Sequence, residues 1–277
     1  MTVQFSFRKP NPALRGVIRQ HQIIRLQFRP GSLVPVKTYW PRPAASLAFY
    51  MRDRERIWTP HSREARTKPR AVIIGQPTFV TYRQVGADYS VYQIEFEPGA
   101  LTRLLGLPLT ALTDDYCDAE AVFPKDFRHL IERIGEATEG EAMIAAAEAY
   151  LLRLTNRRPH AMRAADHAAM LLLSQPNASL DDLASSVGLS TRQMRRDFGQ
   201  RMGVSPKLFS RISRFDSLIR LRNRVPELDW LEAALWAGYY DHQHLRRDFR
   251  IFAGTSPTAF AAAEHRAPER EFGFRET

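Results

Sequence analysis

In the N-terminal third of the chain, short apolar runs are separated by Pro and Gly. The run at 89–97 is the clearest, because Tyr92, Ile94 and Phe96 alternate with a glutamine and two glutamates. This period of two places alternate side chains on one face of a β-strand. Similar runs lie at 21–28, 33–40, 46–51, 71–75 and 78–84. Many short strands at this spacing predict a small antiparallel barrel or sandwich over about residues 15–100.

The periodicity changes after the Pro98-Gly99 turn. At 124–137 and 140–156, Ala, Leu, Ile and Met recur at helical spacing with Glu and Arg between them, which predicts a helical pair. The Ala-rich second helix either pairs subunits or packs on its own barrel. The segment 155–160, which contains two arginines and a proline, predicts a domain boundary, so the first domain is expected to span residues 1–158.

Beyond this boundary the pattern is helical and is interrupted by Gly and Pro. We therefore predict an all-α second domain at 162–266 and a tail at 267–277. The predicted fold class is α+β, with an N-terminal antiparallel β-barrel and helical pair followed by the helical domain.

A duplication is the strongest pattern in the sequence. The segment that starts Arg195-Arg196-Asp197-Phe198 and continues through Gly203, Ser205-Pro206 and Phe209 recurs 51 residues later, starting at Arg246. Upstream, 184–188 matches 234–238 at an offset of 50, so the second copy has one extra residue in its turn. We therefore expect two copies of one structural unit.

Each copy has the start and stop signals of a helix, a turn and a second helix. Ser179 and Asp229 are predicted to cap the first helices, and Ser190 and Asp241 the second ones. A glycine, at 188 or 238, follows the last apolar turn of each first helix, where the chain reversal needs a positive φ. The Ser-Pro pairs at 205–206 and 256–257 each start a third helix. The first of these helices runs to about residue 222 and is expected to join the units.

The second helix of each copy has one apolar face and one polar face. The pairs Met194/Phe198 and Leu245/Phe249 lie four residues apart and are predicted to be buried together. Trp230 is likewise assigned to the core, as is Trp236. The long polar side chains must then point outward: Arg192, Arg195 and Arg196 in the first copy, and His242, Gln243, Arg246 and Arg247 in the second. This arrangement seats a helix in the major groove of DNA.

With these features, residues 165–265 resemble the AraC-type DNA-binding domain, in which two helix-turn-helix units are joined by one long helix. The resemblance rests on Gly238-Tyr239-Tyr240-Asp241 and on Gly254-Thr255-Ser256-Pro257, with the residues between them. It implies that the seven outward residues face bases. Arg192 and Arg195 make the first unit unusually basic, so some of them can bind phosphate instead. Residues 1–160 more weakly resemble the cupin-like sensing or dimerisation domain of such regulators.

Composition agrees with this interpretation. The formal charge of +10 and the pI near 10.1 favour a polyanionic partner, and residues 190–224 contain about ten basic and two acidic residues. No apolar run reaches the roughly 20 residues of a membrane span, and the polar start lacks a signal-peptide core, so we expect a cytoplasmic protein. Cys117 is the only cysteine, which excludes an intrachain disulfide and a thiolate-rich metal site.

Other functional classes fit the sequence less well. A metal-dependent cupin oxygenase needs a cluster of histidines and carboxylates, whereas His21 and His61 stand alone. An alkyl-acceptor DNA repair enzyme needs several cysteines. His242 and His244 diverge on a helix, which disfavours a metal site there. A general RNA or ribosome binder fits the charge but not the duplication. We therefore expect no enzymatic activity, no cofactor and no metal.

The predicted function is sequence-specific DNA binding in transcription regulation. Arginines would contact guanine and Gln243 adenine, while Lys207 and Arg211 would contact phosphates. Double-stranded DNA is the expected partner. A homodimer, contact with RNA polymerase and a small effector in the N-terminal domain are further expectations. Seven aromatic residues either line an effector pocket or fill the barrel core: Tyr39, Trp40, Phe49, Tyr50, Trp58, Phe79 and Tyr82.

Overall fold

The computed structural model describes residues 2–157 and 161–266. Residues 158–160 of the predicted boundary segment 155–160, and the whole predicted tail at 267–277, lie outside the described residues. No helix of the described part is long and apolar enough to cross a membrane.

The N-terminal region is built from two antiparallel sheets. In the described ranges its strands are Thr2–Arg8 (β1), Ile18–Gln27 (β2), Lys37–Tyr39 (β3), Ser46–Tyr50 (β4), Arg56–Thr59 (β5), Ser62–Thr67 (β6), Ala71–Ile74 (β7), Thr81–Gln84 (β8), Asp88–Phe96 (β9) and Tyr116–Asp118 (β10). The larger sheet has the order β1-β2-β9-β4-β7-β10, and the smaller one β3-β8-β5-β6. This confirms the predicted β-rich architecture, with four strands that the hydrophobic pattern did not reveal: β1, β5, β6 and β10.

The larger sheet is buried on both faces. On β9, Tyr92 and Ile94 point into a core shared with helices, whereas Tyr89 and Val91 point into a second cluster on the opposite face. The alternation along β9 was therefore predicted correctly. However, the polar positions between the apolar ones do not face solvent, since Glu95 is buried and pairs with Arg19 at 2.8 Å.

The described helices are Ala100–Leu105 (α1), Phe127–Glu136 (α2), Gly140–Arg157 (α3), Ala164–Ser174 (α4), Leu180–Ser186 (α5), Thr191–Met202 (α6), Pro206–Arg224 (α7), Trp230–Trp236 (α8), His242–Phe252 (α9) and Pro257–His265 (α10). The predicted helical pair corresponds to α2 and α3, and α3 continues through the basic segment as far as Arg157. Together, the sheets and helices confirm the α+β class.

The Ala-rich helix α3 packs on its own sheet. Ala147, Tyr150 and Leu151 lie in the same core as Phe49 and Phe127, and the rings of those two phenylalanines are 5.8 Å apart. Of the two alternatives left open by the sequence, packing on the barrel accounts for the buried face of this helix.

Most of the aromatic residues that were candidates for a pocket are used in packing. Phe49 stacks on Tyr92, and Tyr50 lies against Tyr89 between the sheets. Trp58 stacks on Tyr82 in the smaller sheet, and Phe79 contacts the edge of His61. Two candidates, Tyr39 and Trp40, border a small cavity between the sheets.

Candidate DNA interface

The two sequence copies fold as two helix-turn-helix units. The first consists of α5, a turn and α6, and the second of α8, a turn and α9. Gly188 and Gly238 both adopt positive φ, +69° and +90° respectively, as the predicted chain reversal requires. Helix α7 follows the first unit and leads to the second.

Helix capping sets where each second helix begins. Ser190 accepts a hydrogen bond from the amide of Gln193 through its side chain, and the Ser190 amide donates in turn to the side-chain oxygen of Gln193 at 3.0 Å. Asp241 accepts from the His244 amide at 2.8 Å, and this bond holds the pKa of the Asp241 carboxyl below its usual range. The predicted caps are therefore present in both units, and they orient the first turns of α6 and α9.

We expect that replacing the turn glycine Gly188 by alanine destabilises the protein. An added Cβ has open space at both Gly188 and Gly199, but only Gly188 has a positive φ, whereas Gly199 lies within α6. Gly188→Ala should therefore lower the free energy of unfolding by about 1–2 kcal/mol. Gly199→Ala should raise it by about 0.5–1 kcal/mol. Urea denaturation of the two full-length variants compares them directly, and equal effects would contradict the turn described here.

The inner face of each second helix is apolar and fully buried. Met194 and Phe198 lie in the core of the first unit, and Leu245 and Phe249 in that of the second. Phe249 packs edge-on against Phe215 of α7, with ring centroids 4.9 Å apart. The long joining helix therefore contributes directly to the core of the second unit.

The outer face of each second helix is exposed. All seven predicted base-facing residues are solvent-accessible: Arg192, Arg195, Arg196, His242, Gln243, Arg246 and Arg247. Two outward residues have local partners: Arg196 Nε lies 3.2 Å from Asp197, and His244 Nδ1 lies 3.0 Å from Asp241. The exposed groups are hydrogen-bond donors of the type that read base edges.

The two predicted phosphate contacts differ in their surroundings. Lys207 is exposed in the first turn of α7. Arg211 is partly buried, and its Nη2 donates to Asp248 at 2.6 Å, while the Tyr239 hydroxyl donates to the other carboxylate oxygen at 3.1 Å. Arg211 thus connects α7 to α9, and its contact with phosphate stays a prediction.

One residue assigned to the core is at the surface. Trp236 is 76% exposed, so the prediction for it was wrong. Because α8 has only two turns, the small residues Ala233 and Ala234 fill its buried face, and Trp236 at its end points away. Trp230 is partly buried and contacts Phe249 with ring centroids 5.1 Å apart.

His21, one of the histidines weighed for a metal-dependent enzyme, has hydrogen-bond partners on both ring nitrogens. His21 is buried, with Nε2 3.2 Å from Glu148 and Nδ1 2.8 Å from the Tyr92 hydroxyl. Burial lowers its pKa. In the part of the chain that the structure describes, no group of three or more His, Cys, Asp or Glu is placed to hold a metal ion.

Residues of both units line one groove of about 590 Å³. Arg195 comes from α6, Lys207 and Arg214 from α7, and Tyr240 from the turn before α9. Arg214 also donates to Asn177 at 2.6 Å, and Asn177 donates to the Gly238 carbonyl. The groove therefore connects the exposed face of the first unit to the turn of the second.

The family model of a helix-turn-helix domain matches residues 183–263. These residues form an AraC-type helix-turn-helix domain. The match confirms the resemblance inferred from the sequence and supports a DNA-binding transcription regulator.

Two solved structures of ToxT from Vibrio cholerae share the fold. The structure with a bound unsaturated fatty acid has a TM-score of 0.51 at 10% identity, and the match covers 98% of this chain and 100% of that one. The structure with (E)-4-(8-methylnaphthalen-1-yl)but-3-enoic acid has a TM-score of 0.50 at 10% identity, with coverage of 93% and 98%. A comparison with curated protein sequences finds no match.

The AraC-type domain rests on the N-terminal domain at equivalent points of its two units. In the first unit, the Thr113 hydroxyl donates to the carbonyl of Gly203 at 2.6 Å. In the second, the Val80 amide donates to the carbonyl of Ile251 at 3.3 Å, and Gly254 lies against Val80. Since Gly203 and Gly254 are 51 residues apart, the same turn of each repeat is docked.

A buried ion-pair cluster fixes the first of these contacts. Asp166 of α4 accepts from Arg103 of α1 at 2.9 Å and from Arg201, near the end of α6, at 2.6 Å. The backbone amide of Arg163 donates to the same carboxylate at 3.0 Å. This cluster could not be predicted from the sequence, because no local pattern reveals a pairing between residues as distant as Arg103 and Arg201.

Proposed function

We propose that the protein is a sequence-specific transcription regulator that reads two adjacent major grooves with α6 and α9. The observation that carries the proposal is the pair of donor-rich faces, seven exposed side chains on the second helices of two capped units. Each helix buries its apolar face inside its own unit, which leaves the donors free to meet base edges.

The chemistry of each side chain suggests its role. Arginines on both helices can bind guanine O6 and N7 in a bidentate manner, and Gln243 can bind adenine. Lys207 and Arg211 at the joining helix would position the domain on phosphates. A shared groove connects Arg195 to Tyr240 of the second unit, which favours one DNA-facing side. On that side the two helices would enter grooves about 34 Å, or one helical turn, apart.

We assign the N-terminal domain the role of an effector domain. It contacts both units of the AraC-type domain, so a ligand that changes its shape can change how the two helices are presented. The ToxT structures of similar fold contain carboxylic acids. Homodimer formation, contact with RNA polymerase and a cytoplasmic location belong to the same proposal.

Single arginine variants test the base-reading role. Arg196→Ala and Arg247→Ala should each lower the ratio of specific to non-specific DNA affinity by about 10- to 100-fold, since one bidentate contact contributes about 1–3 kcal/mol of base discrimination. Genomic fragments that the protein retains provide the specific DNA. Competition binding at fixed salt then compares these fragments with random duplex DNA.

Arg128→Ala is the matched control, because Arg128 is equally exposed but lies on α2 of the N-terminal domain. Its specificity ratio should stay at the wild-type value. If Arg196→Ala and Arg247→Ala weaken specific and random binding equally, both residues contact phosphate only, and the base-reading assignment fails. Preference for RNA over duplex DNA would overturn the proposal as a whole.

A further inference from the structure

A small polar cavity of about 70 Å³ lies between the two sheets of the N-terminal domain. The cavity is too small for a large aromatic or aliphatic ligand. It is large enough for a few waters or for a group of a few heavy atoms. Its walls come from both sheets. The charged residues on its lining are Arg42, Glu55 and Arg83, and the uncharged polar ones include Gln22, Ser46 and Gln93. We call it the inter-sheet cavity.

Buried polar side chains on its wall have no protein partner. Gln22 and Ser46 are each only 5% exposed. Within the described residues, neither side chain makes a hydrogen bond to the protein, and the polar atoms of both reach the space of the cavity. Gln93 is the cross-strand neighbour of Gln22 and is equally without a side-chain bond in that part of the chain. Buried amides and hydroxyls normally have partners, so these groups indicate a polar occupant.

The charged side chains around the cavity carry a net positive charge. The carboxylate of Glu55 is shared by Lys68 at 2.7 Å and Arg83 at 3.6 Å, and it also accepts from the Tyr89 hydroxyl. Arg42 pairs with Glu95 at 3.8 Å, and Glu95 also binds Arg19, which pairs with Glu97 at 3.5 Å as well. These two arginines and two glutamates balance, so the excess positive charge lies at Glu55. A buried carboxylate shared by two cations leaves net positive charge at the cavity, which disfavours a cation and favours an anion.

Arg83 lines the cavity and has donors for that anion. Its guanidinium carbon lies over the ring of Tyr39, 4.2 Å from the ring centroid, and its Nε donates to Thr81 at 3.4 Å. Among the described residues, its two terminal nitrogens have no hydrogen-bond partner. A guanidinium held by stacking presents a planar pair of donors, which is the geometry that an oxyanion accepts in a bidentate manner.

We propose that the inter-sheet cavity binds one small oxyanion, a carboxylate of the size of acetate, on Arg83 with the amides of Gln22 and Gln93. This names the chemical class of ligand for the effector role proposed above and rests on that role only for its link to DNA binding. The anion neutralises the excess positive charge and supplies acceptors for the unpartnered donors. No covalent step is involved.

The first test is thermal unfolding of the full chain in sodium acetate against sodium chloride at equal ionic strength. Acetate should raise Tm in a saturable way, since a ligand that binds only the folded state stabilises it. In Arg83→Gln the acetate-specific rise should be lost. Arg52→Gln is the control, because Arg52 is exposed and pairs only at 3.9 Å with Asp88, and it should keep the wild-type response. Equal Tm values in the two salts would show that the cavity holds water only and would overturn the proposal.

A second variant keeps the test valid if Arg83→Gln fails to fold. Gln22→Leu removes an unpartnered buried amide at nearly constant volume, so its Tm without anion should be unchanged or higher. Its dissociation constant for acetate should rise at least tenfold. A Gln22→Leu protein that binds acetate as tightly as the wild type would contradict the assigned site.

Proton uptake provides a further readout at the same site. Burial lowers the pKa of Lys68 to about 8, so part of this amine is uncharged at pH 8. A nearby anion favours the charged form and raises that pKa, so acetate binding should take up protons. Calorimetry at pH 8 in buffers of different ionisation enthalpy measures this uptake. Heat that does not depend on the buffer would contradict an anion placed beside the Lys68–Glu55 pair.

A mobility-shift assay with and without acetate separates this proposal from the proposed function. Acetate-specific stabilisation with unchanged DNA affinity supports the anion site and removes its link to regulation. Loss of sequence-specific DNA binding in every condition, with acetate binding intact, supports the site while the proposed function fails. If acetate causes neither stabilisation nor proton uptake, the proposed anion site is overturned, whatever the result of the DNA assay.

Discussion

Replacing Asp166 by alanine is expected to lower the free energy of unfolding by about 3–5 kcal/mol, because removing one partner leaves buried charges without compensation. Asp166 is fully buried and holds Arg103 and Arg201, both nearly buried themselves. Both arginines would lose the carboxylate that neutralises them. Urea denaturation of the full chain at neutral pH measures the change.

Asp182→Ala is the matched control, since Asp182 is exposed in the first turn of α5. It should change stability by about 0.5 kcal/mol or less, as most exposed substitutions do. Arg103 belongs to the N-terminal domain and Arg201 to the first unit, so the Asp166 variant should also be cleaved faster by proteases between the domains. Equal stability loss in the two aspartate variants would contradict the role of this cluster in docking.

The second large effect is expected at Trp40. This residue lies in the N-terminal domain, but its side chain is buried in the core of the second helix-turn-helix unit. Its Nε1 donates to Asp216 of α7 at 3.1 Å, and its ring packs edge-on against Phe260. Trp40→Ala should therefore cost about 3–5 kcal/mol, which is typical of truncating a buried aromatic residue.

Trp236→Ala provides a control of identical chemistry at an exposed site. Because Trp236 is mostly solvent-accessible, its removal should alter the free energy of unfolding by about 0.5 kcal/mol or less. The same urea titration serves both tryptophan variants. A large loss from Trp236→Ala together with a small one from Trp40→Ala would reverse the burial described here.

Asp166 and Trp40 have related positions in the architecture. Asp166 ties the first unit to the N-terminal domain, and Trp40 ties the second unit to it. One domain thus contacts both units, which restricts the spacing of α6 and α9 in this conformation. Breaking either contact should loosen that spacing, and DNA affinity should fall even though no proposed base-contacting residue has changed.

Local chemistry explains what could be predicted from the sequence. The positive φ of Gly188 and Gly238 and the caps at Ser190 and Asp241 depend on residues within a few positions of each other. The buried pairs of the two second helices follow from helical spacing alone. The repeat then doubled every local signal, so the two-unit architecture and the exposed donor faces could be predicted together.

Long-range packing explains what could not be predicted. Strand β6, with the sequence SREART, looks like a polar loop, and Lys68 follows it immediately. Lys68 is nevertheless buried, because Glu55 from a neighbouring segment neutralises it. The prediction that Trp236 is buried was wrong for the opposite reason, since an apolar residue beyond the buried face of a short helix has nothing to pack against. Pairing between distant residues leaves no period in the sequence.

The most direct test of the central claim is guanine methylation interference on a genomic fragment that the protein retains. We expect two clusters of interfering guanine N7 positions, about one helical turn apart and on the same side of the duplex, because each second helix would enter its own major groove. Arg196→Ala should remove interference from one cluster and Arg247→Ala from the other. A single cluster, or two clusters on opposite sides of the duplex, would contradict the central claim.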